Sequence, residues 1–154
     1  MYAAPSRHYK TALNSDLEMT MTDLQKKLYD AASTAQKYAH APYSNAFIGA
    51  AILTGDGKIY SGCNVENASF GGTVCAERVA IFKAVSEGAK KEIKEVMVIS
   101  DADKPWPPCG FCRQVIAEFG SEETVIYTAN LQGKMKTFKF GDLFPEAFTP
   151  KHLD

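Results

Sequence analysis

FIGAAILTGDGKIYSGCN, residues 47–64, reads as two strands and the turn between them. Residues 47–53 form a short apolar run, Gly55-Asp56-Gly57 supplies turn chemistry, and 58–64 returns as a second strand, which predicts a β-hairpin. Toward the N-terminus, Thr22 and Gln25 have the spacing of a capping box, and Leu24, Leu28, Ala31, Ala35 and Tyr38 recur at three- and four-residue steps. That pattern predicts a helix running to about His40 and stopped by Ala41-Pro42. Toward the C-terminus, beyond a loop with Gly71-Gly72, the residues Val74, Ala80, Ile81 and Val85 mark a second helix closed by Gly88, and 95–100 reads as a strand. A loop stiffened by prolines, 101–108, leads into a helix from about Cys109 to Phe119, with Gly120 as its stop. Residues 123–128 and 136–140 read as two more strands, and 143–148 as a short terminal turn or helix. The order α-β-β-α-β-α-β-β predicts an α/β protein whose one sheet is covered on both faces.

The chain has 154 residues, 45% of them hydrophobic and 23% charged, which is enough to bury one core. We expect a single domain over 22–154, preceded by a mobile arm over 1–21 where neither helical nor strand periodicity shows. A net charge of -1 lacks the basic excess that draws a protein to a phosphate backbone, so nucleic acid is not an expected partner. The first residues lack the apolar run of a secretory leader, and no stretch approaches the roughly 20 apolar residues of a membrane span. The expected setting is the cytoplasm, away from membranes. In that reducing compartment four cysteines point to metal binding, catalysis or buried thiols before disulfides.

Two short stretches hold three of those cysteines. TVCAERVAIF, 73–82, sets Cys75 two positions before Glu77 at a helix start, and PCGFC, 108–112, opens another helix. Cys109 and Cys112, three apart on a first turn, face the same way and can grip one ion, which Cys75 can join from the other helix. Helix N-termini carry partial positive charge, which favours thiolate over thiol. A structural zinc site is closed by four protein ligands, whereas three ligands leave a position for water, the catalytic pattern. Glu77 is poorly placed as a fourth ligand and suits the role of general acid and base over the open position. Three thiolates leave a metal less electrophilic than imidazoles would, and Arg78 is expected to compensate by bonding to the ligand sulfurs.

Cys63 has no spacing partner and reads as a small buried hydrophobe. A closed four-cysteine site using it would lack the paired close spacings of a zinc ribbon, and a redox Cys-x-x-Cys would lack thioredoxin-like surroundings. His8, His40 and His152 match no ligand position and are expected to face solvent.

Cys-Ala-Glu followed by Pro-Cys-x-x-Cys resembles the signature of the zinc nucleoside and nucleobase deaminases in its three-cysteine form. The chain closely resembles the short cytidine deaminases over residues 24–148, through PYS at 42–44 with GAA at 49–51, GCNVENAS at 62–69, CAER at 75–78 and PCGFCRQ at 108–114. The resemblance implies a three-layer α/β/α sandwich with a mixed five-stranded sheet. It also implies a homotetramer whose sites are completed by neighbouring subunits, and hydrolytic deamination of cytidine and 2′-deoxycytidine. By the same resemblance, Cys75, Cys109 and Cys112 bind one Zn2+ per subunit, and Glu77 moves protons to the ring nitrogen and to departing ammonia. Asn64 and Glu66 hold the ribose, the backbone of Ala76 helps hold the base, and Phe47 and Phe70 line the pocket. Phe148 matches an aromatic that reaches toward a neighbour's site.

The chain departs from that family pattern at Ala46, where an aromatic is common, at Phe111, where a small residue is usual, and at Phe70, where Tyr is frequent. These changes lead us to expect a rebuilt pocket with altered tolerance of 5-substituted pyrimidines. Two other functions fit parts of the pattern: deamination of another aminopyrimidine nucleoside, such as a nucleoside antibiotic, and a non-catalytic zinc-stabilised binding protein. The run Asn64-Val65-Glu66 argues against the first and Glu77 against the second.

Overall fold

The computed structural model describes residues 21–89 and 92–153, so the arm expected over 1–21 lies, Met21 apart, outside the described residues. Helix α1, Asp23–Gln36, begins as its capping box requires: the Gln25 amide donates to Thr22 Oγ1 at 3.2 Å and the Thr22 amide to Gln25 Oε1 at 2.9 Å. It ends four residues before the expected His40. The reason lies in the next segment, where the His40 amide donates to Asn64 O at 3.0 Å and the Glu66 amide to His40 O at 2.8 Å. A helix continued to His40 would forfeit those bonds.

The expected hairpin is β1, Ile48–Thr54, and β2, Ile59–Cys63. A short 3-10 turn, Phe70–Gly72, precedes helix α2, Ala76–Ser86; then come β3, Ile93–Ser100, helix α3, Gly110–Phe119, β4, Val125–Asn130, and β5, Met135–Lys139. Phe140, expected at the end of the last strand, is buried and starts a short helix α4, Phe140–Leu143, with its amide on Thr124 O at 2.8 Å. Of the span 143–148 expected as a turn or helix, Leu143 ends α4 and residues 145–146 form a turn, with a separate 3-10 turn following at Pro150–His152.

The strands form one sheet in the order β2-β1-β3-β4-β5. Among the described strands β3 and β4 alone pair in parallel, with α3 as the crossover between them, so the sheet is mixed and five-stranded. Alternation along the strands sorts the core into two layers. Ile52, Val96, Val98 and Ile126 pack with Ala80, Ile81, Ala84 of α2 and Ile116 of α3, while Ala51, Met97, Ile99 and Ala129 pack with Leu28 and Ala32 of α1. This is the expected α/β/α sandwich.

Two glycines set how closely the helices approach. A Cβ on Gly49 would lie 2.0 Å from Ala32 O in α1, and one on Gly62 would lie 2.6 Å from Ala80 N and 2.9 Å from Ala76 O in α2. The hairpin thus seats α1 against one face and the start of α2 against the other. Among the described residues no helix is long and apolar enough to cross a membrane.

Candidate metal and catalytic site

Cys75 and Cys109 are the N-caps of α2 and α3, both with extended backbone, and Cys112 lies in the first turn of α3. Two loops bring these helix starts together. Val65 and Val74 exchange amide-to-carbonyl bonds of 2.9 Å each, which fixes the chain just before Cys75, and β3 delivers the proline-rich loop that ends at Cys109. The three sulfurs lie within 4.8 Å of one another, with Cys75 Sγ and Cys109 Sγ 3.9 Å apart.

That spacing fits a metal. Sulfurs about 2.3 Å from a tetrahedral zinc are separated by about 3.8 Å. All four cysteines are free thiols, and the fourth, Cys63, stays half-buried at the end of β2, outside the cluster. Its thiol is pushed up by burial, as suits an inert packing residue. Among the described residues, the cluster holds three sulfurs and no carboxylate or imidazole, the donor set of an open zinc site.

The electrostatics are uneven across the cluster. A hydrogen bond from the Cys112 thiol, with Arg78 also contributing, draws the Cys75 thiol down to about 5. Cys112 is pushed up, first by that same hydrogen bond and then by burial. Arg78 Nη2 donates to Cys75 Sγ at 3.4 Å and to Thr73 O at 3.0 Å, which places the guanidinium where compensation of thiolate charge was expected. Glu77, in the first turn of α2, is 4% exposed, and burial pushes its carboxyl up to about 7, with the Cys75 charge adding to the effect. A carboxyl near neutrality can both accept and return a proton at neutral pH.

The expected ribose readers, Asn64 and Glu66, are held against residues 43–48. Asn64, nearly buried, accepts from the Ile48 amide at 2.9 Å and donates to Ala46 O at 2.9 Å. Glu66 accepts from the amides of Tyr43 at 2.9 Å and Ser44 at 3.2 Å and from Ser44 Oγ at 2.5 Å. The hydroxyl bond first, then the amides, holds the Glu66 carboxyl below its usual range. Ala76 is fully buried at the head of α2. Phe47 is 39% exposed, and Phe70, 75% exposed, meets Tyr43 edge-on with ring centroids 5.6 Å apart. Phe148 is exposed, stacks on His152, and gives its carbonyl to Gln114 of α3 at 2.8 Å. His40 and His152 are exposed, as expected, and His8 lies outside the described residues.

Arg113 escaped the residue-level reading. It donates to Pro108 O at 2.9 Å and to Leu143 O at 2.5 Å, tying the turn before Cys109 to the C-terminal segment. Its place beside Cys112 was the available signal.

A family model described as "Cytidine and deoxycytidylate deaminase zinc-binding region" matches residues 22–128, most of the chain and all three clustered cysteines. The chain belongs to this deaminase family. It is 54% identical over 138 residues to a probable cytidine deaminase of Dictyostelium discoideum, covering 88% of this chain and 90% of that one. It is 43% identical over 130 residues to a cytidine deaminase of Halalkalibacterium halodurans, covering 84% and 98% respectively. Its fold is similar to the crystal structure of cytidine deaminase from Burkholderia pseudomallei, with a TM-score of 0.77, 43% identity, and 83% and 100% of the two chains covered. The Mycobacterium tuberculosis enzyme's structure aligns with a TM-score of 0.71 at 35% identity, covering 83% of this chain and 98% of that one. Family membership and cluster geometry agree on a three-thiolate zinc centre.

Proposed function

We propose that the protein is a zinc-dependent deaminase that converts cytidine and 2′-deoxycytidine to uridine and 2′-deoxyuridine, with residues 22–154 as its catalytic domain. The observation that carries this reading is three clustered sulfurs beside the buried carboxyl of Glu77 in the first turn of α2. Zinc held by Cys75, Cys109 and Cys112, one ion per subunit, would supply Lewis-acid chemistry and bring the pKa of a water down to about 7.

The chain's own residues do the rest. Glu77 takes a proton from the attacking water and delivers it to the ring nitrogen beside the reacting carbon. It then passes the second proton to the leaving amine. Water oxygen joins C4, the C4–N bond breaks, and ammonia departs, so the step balances without a further reactant. Arg78 draws charge from the Cys75 sulfur, and the starts of α2 and α3 add their dipoles. The backbone of Ala76 steadies the base. Asn64 and Glu66 take the 3′-hydroxyl of the sugar, offering an amide and a carboxylate for a group that both donates and accepts. Phe47 and Phe70 flank the base.

Exposed apolar side chains, among them Phe70, Phe82, Val85 and Phe148, support assembly into a homotetramer in which Phe148 completes a neighbouring site. Cysteines without disulfides, three of them gathered as metal ligands, support a reducing, cytoplasmic setting. The deciding experiment follows ammonia release from cytidine, deoxycytidine and free cytosine, with zinc measured on the same sample. Turnover of both nucleosides by protein carrying one zinc per chain is the expected result; zinc-loaded protein that releases no ammonia from either nucleoside overturns the reading.

A further inference from the structure

We propose that Phe111 is a positioning residue whose ring clamps the Arg78 guanidinium against the Cys75 sulfur and so moderates the charge that the thiolates give a bound metal. The inference rests on the deaminase reading and concerns a residue that neither binds metal nor moves a proton.

The Arg78 guanidinium carbon lies 4.5 Å from the centroid of the Phe111 ring. Among its donors, Nη2 reaches both Cys75 Sγ and Thr73 O, while Nε is buried with no hydrogen-bond partner. The polar edge therefore leaves the guanidinium incompletely held, and the aromatic face supplies further contact. A cation over an aromatic face is attracted by the ring quadrupole. Phe111 itself is 67% exposed, so its ring is not there to fill the core. It stands between the ligands Cys109 and Cys112 on α3, while Arg78 stands three residues after the ligand Cys75 on α2. The pair crosses between the two helix starts that carry the sulfurs.

The consequence follows from charge. Three thiolates around a dication leave a net negative centre, and an N–H donor at one sulfur withdraws electron density from it. An unclamped arginine, with its long flexible stem, spends more time in water and less at the sulfur. The metal would then be less electrophilic, which slows the chemical step and leaves nucleoside binding nearly untouched.

The test compares Phe111→Leu, which keeps apolar bulk but loses the aromatic face, with Phe111→Tyr, which keeps the face. Each is made alone and on an Arg78→Gln background, and the oligomeric state is checked by light scattering. Cobalt-loaded protein reports the sulfur directly through its thiolate-to-metal charge-transfer band, and zinc-loaded protein gives kcat and KM for cytidine. Phe111→Leu should lower kcat about two- to fivefold, the range expected from a cation–π contact near the surface, with KM steady. Its band should move to lower energy as the sulfur loses its donor. Phe111→Tyr should match wild type in both, and Phe111→Leu should add nothing once Arg78 is Gln. A Leu variant with wild-type band and kcat overturns the proposal, as does a Tyr variant impaired as much as Leu. Wild-type turnover on the same preparation judges the deaminase reading separately, because the cobalt band decides the role of Phe111 whether or not cytidine is the substrate.

Discussion

Glu77 and Glu66 show how one side-chain type is driven in opposite directions by its surroundings. Burial lifts Glu77 toward neutrality, whereas the Ser44 hydroxyl and two backbone amides hold Glu66 low. Replacing Glu77 with Gln keeps the shape and removes the proton carrier, so kcat for ammonia release should fall at least about a hundredfold while zinc content stays at the wild-type level. For Glu66 the sign is that of a lowered carboxyl. Its contribution to stability is complete above the unfolded-chain value near 4.3 and disappears as pH falls through the lower folded value. Thermal unfolding of wild type and Glu66→Gln should therefore differ at pH 7 and pH 5 and converge in strongly acidic buffer. Arg78→Gln should reduce turnover more than it reduces melting temperature, and unchanged turnover would remove its assigned role. At this scale the sulfur trio and Glu77 were legible because their spacing is chemical. Ser44 was not, since its partner Glu66 is 22 residues away and meets it only when the loops come together, and Thr73 takes part through its backbone carbonyl, which residue type does not register.

The elements were legible where periodicity and punctuation agreed. The capping box placed the start of α1, Gly55-Asp56-Gly57 placed the hairpin, and Gly120 placed the end of α3. The end of α1 and the split of the terminal helix were not legible, because His40 and Phe140 are claimed by backbone bonds to Asn64 and Thr124 that local propensity does not register. Close packing at Gly62 gives a direct element-scale prediction. A valine there would drive its Cβ into the backbone of α2 and displace the helix start that carries Cys75, Glu77 and Arg78. Gly62→Val should lower stability by about 1–3 kcal/mol in denaturant unfolding and speed zinc loss to a chelator. Thr22→Ala removes one cap at the far end of the other layer and should cost about 1 kcal/mol with zinc retention unchanged.

At the scale of the molecule, among the described residues one side of the sheet carries α1 alone, and the other carries both helices that present the sulfurs. A metal shared by α2 and α3 joins elements far apart in sequence, so its removal should be felt by the whole fold. Stripping zinc should lower the melting temperature by about 5–10 °C, and readdition should restore it. Arg113 and Gln114 extend that union to the last part of the chain by holding the carbonyls of Leu143 and Phe148. The tail is in effect leashed to the helix that bears two of the three sulfurs. A bulky reporter spliced in behind His152 would act as a lever on that helix, so tagged versions should be judged by how firmly they keep their metal before their speed is compared.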